Sequence, residues 1–131
     1  MPRIPVVYVA AGTRAIETTI AQKLRADGLR VYTPEWESDV EGDTASISAF
    51  CCALLHLDRL DSTDAIDDAE LMRLTQPTLP VAFIHSHATE TLLRRARVLG
   101  PVFRISDELA GAFAWASANA KRSLPPMAPA G

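Results

Sequence analysis

Three histidines, His56, His85 and His87, and the aspartate Asp58 are the residues of this chain whose types and spacing best suit chemistry. His56 closes the apolar run CALL, and His85 closes LPVAFI. Neutral imidazoles ligate zinc, and an imidazole beside a carboxylate can move protons. A structural zinc site, however, wants four ligands, and no carboxylate or thiol is clearly spaced to complete a shell around these histidines. They are expected to fill and hydrogen-bond a pocket rather than hold metal, with no cofactor. The adjacent Cys51 and Cys52 make a poor disulfide and lack metal-ligand spacing, so buried reduced thiols are expected. Glu35, Glu37 or Asp58 would be the acid of a small α/β enzyme that processes nucleotides or nucleosides. Against that reading, AAGTRA holds one glycine and matches neither a dinucleotide fingerprint nor a phosphate loop.

Elements that would position these residues follow from the periodicity. Pro5 to Ala10 (PVVYVA), Leu29 to Tyr32, Cys52 to Leu57, Leu79 to Ile84 and Pro101 to Ile105 read as five short strands, several apolar on both faces. Between them, Ile16, Ile20 and Leu24 form a helical stripe that Thr13 can cap and Gly28 ends. An acidic loop over Glu35 to Thr44 precedes a weak helix over Ala45 to Phe50. A helix opening near Asp61 to Asp64 carries Asp67, Asp68 and Glu70 in its early turns and reaches about Leu74, where the acidic start suits the helix dipole. The fourth helix, Thr89 to Leu99, turns Leu92, Leu93, Ala96 and Leu99 inward and Arg94, Arg95 and Arg97 outward. Ser106 or Asp107 caps a last helix with Leu109, Phe113 and Ala116 on one face. Alternating strands and helices predict an α/β fold, a parallel five-stranded sheet between helical layers in the flavodoxin-like order 2-1-3-4-5.

Composition narrows the function classes. The chain of 131 residues is 48% hydrophobic and 22% charged, with a net charge of −3 and a pI near 5.5, so it has no basic surface excess for gripping nucleic acid alone. No apolar stretch approaches bilayer length and the start lacks a signal-peptide layout, so a cytoplasmic protein without membrane contact is expected. Residues 1–120 read as one domain and 121–131 as a Pro/Ala-rich linker toward a C-terminal effector.

In this layout the chain resembles the receiver domain of bacterial response regulators over about Pro5 to Ala120, through LPVAFIHSHA and LGPVFRISDEL. A working receiver holds Mg²⁺ on an acidic pair after its first strand and accepts phosphate on an Asp after its third. A Thr or Ser after the fourth strand and a Lys after the fifth contact the phosphoryl group. Carboxylates suit a hard divalent cation, and cationic groups suit a transferring phosphoryl. The resemblance places Ala10 and Ala11 at the acidic pair, His85 at the Thr/Ser position and Ile105 at the lysine. His56 falls at the acceptor, 29 residues before His85, with Asp58 as the rival at 27.

The implied protein is a degenerate receiver, or pseudo-receiver. It would be the non-catalytic regulatory part of an atypical response regulator, ahead of a DNA-binding effector. Control would come from protein contacts, a small-molecule regulator or homodimerisation rather than Mg²⁺-dependent phosphorylation. A receiver phosphorylated on Asp58 is the alternative. The resemblance also implies pairing through the fourth helix, fifth strand and last helix, with Arg94 and Arg97 facing Asp107 or Glu108 of a second copy and Arg95 beside them in the interface. Trp115 would be an aromatic anchor.

Overall fold

The computed structural model describes residues 6–10, 14–33, 50–58 and 65–123. The expected 35–44 loop and nearly all of the weak 45–50 helix lie outside these residues. So do Ala11, the Gly12-Thr13 turn, the 61–64 capping region and the linker beyond Ser123.

Five strands, β1 (Val6–Ala10), β2 (Arg30–Tyr32), β3 (Cys52–His56), β4 (Val81–His85) and β5 (Val102–Arg104), form one parallel sheet in the order β2-β1-β3-β4-β5. Four described helices cover it: α1 (Arg14–Ala26), α2 (Ala65–Thr75), α3 (Glu90–Leu99) and α4 (Leu109–Ser123). The predicted flavodoxin-like topology is the observed one.

Alternation along each strand divides the core between two faces. Val7 and Val9 of β1, Cys52 and Leu54 of β3, and Ala82 and Ile84 of β4 pack with Ile20 and Leu24 of α1 and Ala112, Ala116 and Ala120 of α4. Ala10, Ala53, Leu55, Val81 and Phe83 pack on the other face with Ile66 and Ala69 of α2 and Ala96 of α3. The small residues of α4 let that helix lie close to the sheet. Both thiols are free and buried, as expected. The Cys52 sulfur lies 4.0 Å from the Ala116 carbonyl, and its hydrogen bond with Cys51 and its burial hold its thiol far above the ordinary range.

The termini of elements show local chemistry at work. Gly28 takes a left-handed φ of 86° after α1, while its N–H donates to Arg25 and that of Leu29 to Leu24, which closes the helix in a Schellman motif. Thr89 caps α3 by accepting from the Leu92 N–H at 3.3 Å. Pro80 and Pro101, which lack an N–H, stand just outside β4 and β5 rather than inside, so β4 starts at Val81 and runs through His85. Neither Ser106 nor Asp107 caps α4, contrary to expectation. Asp107 turns back toward Arg104 at 3.6 Å, Ser106 donates to Asp107, and the Glu108 carbonyl accepts the first helical N–H groups. The last helix also continues to Ser123, past Lys121 where linker composition begins.

Gly100 is required by space rather than by conformation, because its backbone is extended. A Cβ there would sit 1.8 Å from the Val81 carbonyl oxygen. Gly100→Ala should force β4 and the end of α3 apart and destabilise the protein by about 2–3 kcal/mol in urea unfolding, against less than about 1 kcal/mol for alanine at an open glycine. A near-neutral result would show that the passage is looser than drawn.

Candidate functional site

The C-terminal ends of β1, β3 and β4 and the turn after β5 form the crevice in which this topology does its chemistry. Ala10 ends β1 at 3% exposure and offers only a methyl group. Ala11 lies outside the described residues. Ile105 follows β5, half-buried against the core, and its N–H donates to the His85 carbonyl at 2.8 Å. A branched alkane there supplies no charge to the crevice.

His56 and Asp58 are brought together. His56 is the last residue of β3, 5% exposed, and its Nε2 lies 3.1 Å from Asp58 Oδ1. Asp58 sits in the turn beyond and reaches over to the loop between β4 and α3. There the Ser86 N–H donates to Oδ1 at 3.1 Å and to Oδ2 at 3.2 Å, and the His87 N–H makes a short hydrogen bond to Oδ2. Desolvation pushes the Asp58 carboxyl up, but the His87 and Ser86 N–H groups and the nearby His56 outweigh it and hold it below the usual carboxylate value. An ionised carboxylate has about four lone-pair sites. Two main-chain N–H groups thus converge on this carboxylate, the Ser86 N–H shared between both oxygens and the His87 N–H on Oδ2.

The other histidines do not join them. His56 registers across the ladder with Ile84, one residue short of His85. His85 ends β4 half-buried, its Nδ1 without a hydrogen-bond partner. Desolvation, followed by Arg104 and Arg97, lowers its pKa against the opposing pull of Asp58 and Glu108. His87 is exposed and takes part through its backbone. Among the described residues no three His, Cys, Asp or Glu side chains are grouped to hold a metal. Glu35 and Glu37 lie outside the described residues, so of the three candidate enzymatic acids only Asp58 is placed.

One carboxylate was not singled out in the sequence. Glu17, in the first turn of α1 and so at the crevice end of the sheet, is 2% exposed. Its signal was present: Glu17, Ile20, Ala21 and Leu24 share one helical stripe, and a charge there must be buried. The Ser86 and His87 N–H groups carried no such signal, because any residue but proline supplies one.

The arginines of α3 are outward. Arg94 and Arg97 share Glu90 at 3.7 and 3.6 Å, and all three side chains are more than half exposed. Arg104 and Asp107 pair in the turn after β5, while Glu108 accepts the Arg104 N–H at 3.1 Å. Trp115 stands apart from this group, half-buried against the core of α4. No described helix is long and apolar enough to cross a membrane.

No protein-family model and no curated protein sequence matches the chain. Solved structures show that its fold is that of response-regulator receiver domains. The receiver protein of Sinorhizobium medicae superposes with a TM-score of 0.70 at 13% identity, covering 91% of this chain and 96% of its own. The NtrC4 receiver domain, solved as a beryllofluoride-activated dimer, gives 0.66 at 16% identity, covering 88% and 94%. A protein of Burkholderia pseudomallei described as pilus assembly-related gives 0.60 at 21% identity, covering 88% and 91%.

Two predictions come from the cluster. Asp58→Ala strands two N–H donors and should cost about 1–3 kcal/mol in chemical denaturation at neutral pH. Both Asp58 and His85 have folded pKa values below their ordinary ones, so the unfolded chain binds more protons and stability falls on acidification. The His85 contribution is lost first, as pH drops below 6.5, and the Asp58 contribution below 3.8. Stability of the wild type relative to His85→Gln should therefore decline between neutral pH and about pH 5, and a pH-independent difference would contradict the assignment.

Proposed function

We propose that this chain is a non-catalytic, pseudo-receiver signalling module that works through protein contacts rather than Mg²⁺-dependent phosphorylation. The observation that carries this reading is the engagement of Asp58. To take a phosphoryl group, a carboxylate oxygen must present a lone pair, and Asp58 would do so at the expense of its hydrogen bonds to Ser86 and His87. Nothing cationic would reward that step at Ile105, and Ala10 offers no oxygen to a divalent ion. His56, rather than an acid, stands at the end of β3.

The module is further proposed to be the cytoplasmic N-terminal regulatory part of a transcription regulator, joined through the Pro/Ala-rich 121–131 segment to a DNA-binding effector. A second reading, service to an assembly machine, is favoured by the likeness to the Burkholderia protein.

Phosphorylation on Asp58 is the rival, and intact mass after incubation with a small phosphodonor and Mg²⁺ separates the two. The expected spectrum is unmodified protein. A phosphoryl adduct that disappears in Asp58→Asn would overturn the proposal.

Pairing of two copies through α3, β5 and α4 belongs to the same reading. Each exposed ion pair on that face contributes only about 0–1 kcal/mol, so exchanging Glu90 for an acid of a second copy costs Arg94 and Arg97 little. Arg95 has no ion-pair partner among the described residues. Light scattering should find a dimer that Arg94→Glu with Arg97→Glu dissociates and that salt weakens. A wild type that stays monomeric at about 1 mM would remove this part of the proposal, since even weak specific pairing registers there.

A further inference from the structure

A cavity of about 290 Å³ lies at the opposite end of the sheet from Asp58. It opens between the starts of β4 and β5 and the C-terminal ends of α2, α3 and α4. Strands of this length separate the two ends by roughly 13–16 Å, so the cavity is distinct from the crevice. Its apolar walls include Trp115, Pro80 and Pro101, and its polar groups are Arg73, Arg122 and Asn119.

The charges are the telling feature. Arg73 donates from Nε to the Leu79 carbonyl at 3.2 Å and from Nη2 to the Leu99 carbonyl at 2.8 Å. The Leu99 carbonyl is one of those left unpaired at the end of α3, which explains why an arginine is there. Both acceptors are neutral, however, so the guanidinium keeps its full positive charge while half-buried. Arg122, in the last turn of α4, is exposed. Neither arginine has a carboxylate partner among the described residues. Asn119 is 7% exposed, and its amide donates to the Trp115 carbonyl at 2.9 Å, which fixes the polar edge of the wall. Two guanidinium groups with no carboxylate partner among the described residues, beside an indole and two proline rings, form an amphipathic recess. Guanidinium groups suit carboxylate or phosphate oxygens, and the flat walls suit a ring.

We propose that this cavity is a binding site for a small aromatic acid, an aryl carboxylate or aryl phosphate. The ring packs against Trp115 and the prolines, and the acid group pairs with Arg73 and Arg122. The volume lies at the small end of ligand pockets and fits one ring with its acid group rather than a dinucleotide. The site stands independently of phosphorylation chemistry.

Titration of the full chain with phenyl phosphate, followed by amide NMR, tests it. Saturable shifts are expected at the Gly100 amide and the Trp115 indole N–H. Inorganic phosphate and benzyl alcohol, each carrying half of the recognition, should bind at least about tenfold more weakly. Arg122→Gln should weaken phenyl phosphate about tenfold, and Ala118→Phe, at an exposed lining position, should block the recess while leaving the melting temperature near wild type. Absence of saturation at about 10 mM, parity of benzyl alcohol with phenyl phosphate, or wild-type binding by either variant would overturn the proposal.

Discussion

Because all five residues of β3 are buried, helices covering both of its faces, the polar groups at its end can be satisfied only by what the neighbouring strands and loops present. Desolvation makes an unpaired group there costly, and Asp58 meets that constraint by accepting from the loop after β4, with His56 Nε2 set 3.1 Å from its Oδ1. The carboxylate thereby ties β3 to the entrance of α3, and the backbone of the 86–87 loop follows from it. Ile105 then closes the adjoining turn through the His85 carbonyl. Among the described residues, the ends of β3 and β4 and the turn after β5 are thus linked by hydrogen bonds through Asp58 and the His85 carbonyl.

The sheet was legible because buried parallel strands produce unbroken apolar runs, as in CALLH and VAFIH, and because Gly28 and Thr89 sit where helices stop and start. Boundaries shifted where chemistry that is invisible in periodicity intervened. Proline displaced the starts of β4 and β5, and the turn after β5 consumed the side chains expected to cap α4. The site was legible only in part. Side-chain types at Ala10, His56, His85 and Ile105 could be read from placement in the chain. The pairing of Asp58 with two main-chain N–H groups could not, since backbone donors have no sequence signature. Register explains the remaining gap: His56 and His85 end neighbouring strands, yet the ladder sets His56 beside Ile84.

The two ends of the sheet differ in how they handle charge. At the crevice end a carboxylate is held by main-chain N–H dipoles of the loop after β4, which suits rigidity. On α3 and in the turn after β5, cations and anions pair at the surface, where water makes exchange of partners inexpensive. At the far end Arg73 is held by carbonyls alone, so geometry is satisfied while charge is not. Polar groups that are equally well hydrogen-bonded can therefore have opposite meanings for binding.

The side chain of Gln76, at the end of α2, accepts from the Phe50 N–H at 3.0 Å and donates to the Phe50 carbonyl at 2.8 Å. A primary amide that satisfies both main-chain groups of one residue imitates a rung of a ladder. Phe50 also packs on Tyr8 and Tyr32, with ring centroids 5.3 and 5.6 Å away. The entry to β3 is consequently clamped from the residue after α2 and from the tyrosines of β1 and β2. The start of β3 is therefore held by side chains as well as by its ladder partners, so its register does not rest on main-chain pairing alone.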